Sequence, residues 1–91
     1  MARIILPDNT PTLVQDNTGA DYVAHQVLGP SDVLFLRTAS NTPPTDWDGA
    51  YHAPGPKNGR YSEPFPIHGL TGFYLWAMPA GGQSTIVNGD A

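Results

Sequence analysis

The sequence predicts an all-β domain: a small antiparallel β-sandwich or Greek-key barrel with one long, proline-rich, ordered loop. Three observations lead there. Ten glycines and ten prolines in 91 residues break the chain at short intervals, with proline at about twice its usual ~5%. The apolar residues fall into short runs of β-branched and aromatic types, which suit a pleated, half-buried surface. Trp47, Trp76 and seven further aromatic residues provide a core that a disordered polar chain would lack. The length fits one domain.

Arg3–Leu6 is a β-prone run ended by Pro7, so residues 1–10 read as an N-terminal arm or edge strand and residues 11–91 as the domain proper. Pro7–Pro11 is a turn, because Asp8 and Asn9 bond nearby backbone and the prolines fix φ. Thr12–Gln15 is a strand ended by Asp16-Asn17-Thr18-Gly19, a tight turn with positive φ expected at Asn17 or Gly19. Tyr22–Leu28 is also suited to a helix in composition, but a short run ahead of Gly29-Pro30 favours a strand. Val33–Thr38 is apolar on both faces before it turns polar, so it is expected to be covered on both sides.

From Ala39 to Pro66 regular structure is expected to give way to a long loop containing Pro43, Pro44, Pro54, Pro56, Pro64 and Pro66. Structureless segments of that length are uncommon in compact domains and tend to be functional. Trp47, Tyr51, Tyr61 and Phe65 are expected to pack it into an ordered Ω-like excursion. Gly72–Met78 is a strand with Phe73, Leu75 and Ala77 on one face and Tyr74, Trp76 and Met78 on the other. Pro79-Ala80-Gly81-Gly82 reads as a hairpin connection to Ser84–Asn88, paired antiparallel with Gly72–Met78. The pattern thus gives five or six strands. The expected core is Leu13, Val23, Val33, Phe35, Ile67, Leu70, Phe73, Leu75, Trp76, Ile86 and Val87.

Charge narrows the function classes. Eight acidic residues face four basic ones, Arg3, Arg37, Lys57 and Arg60, for a net charge of −4, and the basic residues form no run. Nucleic acid and anionic membrane surfaces need a cationic face, so neither is an expected partner. The absence of cysteine excludes a disulfide-stapled scaffold and cysteine-ligated zinc. Oligomerisation or docking on a partner is then the common remaining support for a thin core. No apolar run approaches the ~20 residues of a transmembrane helix. The N-terminus lacks the apolar stretch of a signal peptide, so the chain is expected to be soluble and made in the cytoplasm.

No motif for chemistry stands out, and the expectation is a non-enzyme with no catalytic residues, no cofactor and no metal. His25, His52 and His68 lack the paired spacing of metal ligands, and no nucleophile elbow or phosphate loop is present. Asp46-Trp47-Asp48-Gly49 shares its start with a calcium loop but lacks the later acidic ligands, which favours a plain turn. Trp47, Tyr51 and Tyr61 beside Asp46, Asp48 and Asn58 also have the composition of a sugar site. Packing or a protein interface is the commoner use of such residues.

The stretch from Phe65-Pro66-Ile67-His68-Gly69-Leu70-Thr71-Gly72 through Phe73-Tyr74-Leu75-Trp76-Ala77, a glycine-containing turn and Ser84-Thr85-Ile86-Val87 resembles small phage virion proteins of the capsid decoration (cement) type. The strand ending at Asn17-Thr18-Gly19 and the Thr42-Pro43-Pro44-Thr45 stretch look similar too. The resemblance covers about half of the chain in patches. It implies a non-enzymatic β-sandwich on the outside of an assembled shell, with the major capsid protein as partner, a homo-oligomeric state with a trimer favoured, and a place in the virion. On that reading the N-terminal segment adds a strand to a partner's sheet edge. The contact surface is expected at Arg3, Ile4, Ile5, Leu6, Trp47, Tyr51 and Tyr61. The other classes are a carbohydrate-binding tail-fibre or adhesin module using the Trp47–Tyr61 loop, and a tail, baseplate or head-completion component.

Overall fold

The computed structural model describes residues 2–16, 22–56, 65–68 and 71–90. Among these the chain forms eight strands: β1 (Ala2–Leu6), β2 (Thr12–Gln15), β3 (Tyr22–Val27), β4 (Val33–Thr38), β5 (Tyr51–Ala53), β6 (Phe65–His68), β7 (Tyr74–Pro79) and β8 (Thr85–Asp90). They make two four-stranded antiparallel sheets, ordered β1-β8-β3-β6 and β2-β7-β4-β5. The fold is thus the expected all-β sandwich.

The strand order has a simple origin. The pairs β1–β8, β2–β7, β3–β6 and β4–β5 are the rungs of one long antiparallel hairpin. Rolling that hairpin up adds the pairs β3–β8 and β4–β7. This is jelly-roll winding, two interlocked Greek keys that divide their strands between two sheets. It overturns one expectation. The strand at Tyr74–Pro79 does not pair with the strand at Thr85–Asp90, because the two belong to different sheets. The connection through Gly81 and Gly82 (φ 76°) is a corner between sheets and not a hairpin. Glycine-rich turns serve both purposes, so turn chemistry alone does not choose.

The long loop is also shorter than expected, since β5 and β6 interrupt it. β6 contains Pro66 yet forms a strand, because among the described residues it sits at a sheet edge and pairs with β3 alone. An edge strand tolerates the missing N–H. β1 is likewise an edge strand of its own domain, bonded along its length to β8.

The core lies between the sheets. Leu6, Val14, Val27, Val33, Phe35, Ala53, Leu75, Ala77 and Val87 are buried there, with Ile4 and Ile67 packed against them. Strand alternation sends Val33 and Phe35 of β4 inward and Leu34 and Leu36 outward. Trp76 is buried as expected, but on the opposite face from Leu75. It lies opposite Leu13 and Leu36 on the neighbouring strands, and its Nε1–H donates to Thr38 Oγ1 at 3.0 Å. Three core expectations fail. Leu13 pairs with the outward-facing Trp76 and is half-buried, so Val14 beside it takes the core position. Ile86 faces outward opposite Ile5, and Phe73, just ahead of β7, is exposed. The Val23 side chain and Leu70 lie outside the described residues.

One corner is locked by polar bonds. Gly81 N–H donates to Ser31 Oγ at 2.7 Å, and Ser31 Oγ donates to the Asp32 carbonyl at 2.8 Å, which also accepts from Ala80 N–H at 2.7 Å. Asp32 Oδ1 accepts from Gly55 N–H at 2.7 Å, and Oδ2 meets His52 Nε2 at 2.9 Å. The β3–β4 connection thereby holds both the end of β5 and the β7–β8 corner. Glycine is required for this closeness: a Cβ on Gly55 would sit 2.8 Å from the Ser31 carbonyl oxygen, and one on Gly81 2.6 Å from Ser31 Oγ.

Candidate protein-binding surfaces

At the far end of β4 the sandwich opens. A cleft of about 450 Å³ lies between β4 and β5 of one sheet and β6 of the other. Phe35, Leu75 and Ile67 line it from the core side, and Arg37, Tyr51 and His68 stand at its rim. Tyr51 is 51% exposed. Arg37 comes from β4, where the strand's apolar run turns polar, and bridges the two sheets by donating from Nη1 to the His68 carbonyl oxygen at 2.9 Å. Its guanidinium carbon also stands 5.5 Å from the centroid of the exposed Phe73 ring. Behind the cleft wall the His25 ring tilts against Phe35, centroids 5.2 Å apart. Burial lowers the pKa of His25 to about 4, so the imidazole is neutral near pH 7.

An apolar floor with Tyr51 and Arg37 at its rim, and Phe73 against the Arg37 guanidinium, is the composition of protein interfaces and their energetic centres. Among the described residues no cluster of three His, Cys, Asp or Glu side chains could hold a metal.

The expected contact residues do not form one surface. Alternation along β1 places Arg3 and Ile5 on the outside, with Ile5 69% exposed. It turns Ile4 against the core and buries Leu6 completely. Leu6 is therefore a core residue and Ile4 a supporting one, a correction that follows from the two-residue period of a strand whose inner face packs on the core. Tyr51 lies on β5, which shares its cleft with β6, at the edge of the sandwich opposite β1. Trp47 is half-buried, and its carbonyl accepts from Ala50 N–H at 3.1 Å. Asp46 Oδ1 accepts from Asp48 N–H at 2.9 Å, so Asp46–Gly49 forms the plain turn, with Gly49 at φ 82°. Tyr61 lies outside the described residues.

Sequence reasoning overlooked Arg37, His68 and Phe73, which join only through the pairing of distant strands. The fold also brings His52 Nε2 to Asp32 Oδ2, a pairing across 20 positions that the sequence does not announce. Comparison with protein-family models, with curated proteins and with solved structures finds no match for this chain.

Proposed function

We propose that the chain is a non-enzymatic accessory protein of a phage particle, a decoration or cement protein that binds the outside of an assembled capsid shell and braces it. The observation that carries this reading is the placement of interface-type residues at two opposite edges of one small sandwich. Tyr51, Arg37 and Phe73 open on one side, and Arg3 and Ile5 on the other. A domain with two separate contact edges can hold two neighbours at once, as bracing requires. The likeness of residues 65–87 to small virion proteins supports the same reading. Jelly rolls occur in capsid and lectin domains alike, so the winding counts as analogy only.

The test is co-sedimentation of the purified protein with empty shells assembled from the capsid protein of its own source. The expected result is saturable binding at a copy number set by the shell's symmetry, weakened about tenfold by a Tyr51→Ser, Arg37→Ser double variant. Absence of binding to intact shells overturns the proposal. Quenching of tryptophan fluorescence by host surface polysaccharide would then favour the carbohydrate-binding class.

A further inference from the structure

The outer face of the first sheet carries an ordered pattern that the cleft does not explain. Arg3 of β1 lies directly opposite Asn88 of β8, and Asn88 lies directly opposite Gln26 of β3. Three polar side chains therefore stand in one row across three adjacent strands, spanning roughly 10 Å at the usual strand spacing. The next row is aliphatic. Ile5 lies opposite Ile86, and Leu28 is tied beside Ile86 by its N–H donating to the Ile86 carbonyl at 2.8 Å. Arg3, Gln26, Leu28, Ile86 and Asn88 together line a shallow depression of about 360 Å³. The strand that carries Arg3 and Ile5 has a neighbour on one side only, so its other side is an open sheet edge among the described residues.

We infer that this edge and face take an extended segment of a partner protein, which adds a strand to β1 and sets an acidic side chain beside Arg3 and an aliphatic one beside Ile5. The inference deepens the docking reading above and rests on it. Charge complementarity selects the occupant. Arg3 is a cation in a chain of net charge −4, and among the described residues no carboxylate pairs with it. A partner carboxylate gains a charge-assisted bond from the guanidinium, and the Asn88 amide stands in the same row on the adjacent strand. The aliphatic row offers no flat ring on which a sugar face would stack. One cation is too few for a nucleic-acid backbone. An added strand supplies main-chain bonds for affinity, while side chains at alternate positions give specificity. The partner motif is then an aliphatic residue and an acid separated by one residue, in either chain direction.

The test is an NMR titration of the full chain with capped pentapeptides. The sequences Thr-Val-Thr-Glu-Thr and Thr-Glu-Thr-Val-Thr present the motif in the two directions, and counterparts with Gln in place of Glu remove the charge. The expected result is a saturable shift of the Arg3 and Ile5 backbone amides and of the Asn88 side-chain amide on the adjacent strand. One Glu peptide should bind about tenfold more tightly than its Gln counterpart. Arg3→Gln, at an exposed position, should unfold at the wild-type temperature and lose that preference. Equal shifts from Glu and Gln peptides in the wild-type chain, or shifts that avoid β1, overturn the inference. The titration needs no capsid, so shell binding without peptide binding removes this inference and leaves the function standing.

Discussion

The two ends of β4 are built for different purposes. At Val33 the strand emerges from the locked corner, where the Ser31 hydroxyl and the Asp32 carboxylate and carbonyl bond to Gly55, Ala80, Gly81 and His52. Glycines let the backbones close to contact there, and the Ser31 and Asp32 groups find their partners within the chain. At Arg37 the same strand borders a cleft with an apolar floor, and its rim presents Tyr51 and His68 to the outside. On the proposed reading, one strand thus joins a stability site to a recognition site. The comparison teaches that changes at the corner should register in unfolding, and changes at the rim in binding.

The largest expected effect tests whether the cleft wall is also the acid-sensitive part. His25 lies behind Phe35 with its pKa lowered from 6.5 to about 4 by burial. Between those values the unfolded chain binds a proton that the folded chain does not, so folding stability falls as pH drops from about 6.5 towards 4. The loss is on the order of 3 kcal/mol at full titration. Urea unfolding at pH 7, 5.5 and 4 should show His25→Leu losing less stability over that range than the wild type. Parallel pH curves for the two proteins would remove His25 as the cause. At the corner, Asp32→Ala should destabilise by about 2 kcal/mol, since it strands the buried Gly55 N–H. Shell binding measured below the unfolding transition should be unchanged, and a loss of binding at full foldedness would break the division between the two ends.

The sandwich was legible because turn residues recur at short intervals and VLFLRT and YLWAM are short β-prone runs bounded by them. Partner choice between strands was not. β7 pairs with β2 and β4 across long sequence separations, and nothing local to Gly81 or Gly82 distinguishes a corner from a hairpin. β5 was hidden because it is only three residues long, Tyr51–Ala53, and β6 because Pro66 reads as a breaker until its edge position is known. The sites followed the same rule. Arg3 and Ile5 could be found once the period of β1 was phased by the burial of Leu6. The cleft needed four strands from two sheets, and its rim residues Arg37 and His68 are 31 positions apart.

Smaller effects sharpen the comparison. Thr85 is 2% exposed at the corner end of β8, and among the described residues its hydroxyl has no hydrogen-bond partner. Thr85→Val removes a buried polar group without changing the branching at Cβ, so it should raise stability by about 1 kcal/mol in urea unfolding. A fall instead would mean that the hydroxyl is satisfied and that the corner has no slack. The smallest effect on folding is expected at Tyr51. Its ring is half out of the protein at a sheet edge, so Tyr51→Ser should change unfolding by less than about 0.5 kcal/mol. Binding should respond quite differently, because an exposed tyrosine over an apolar floor is the type of residue on which interfaces depend. Unfolding and shell co-sedimentation measured on the same preparation decide the matter. A stable variant that binds weakly assigns the rim to recognition. A variant that unfolds early means Tyr51 holds the cleft shut, and the open end of β4 is then part of the scaffold.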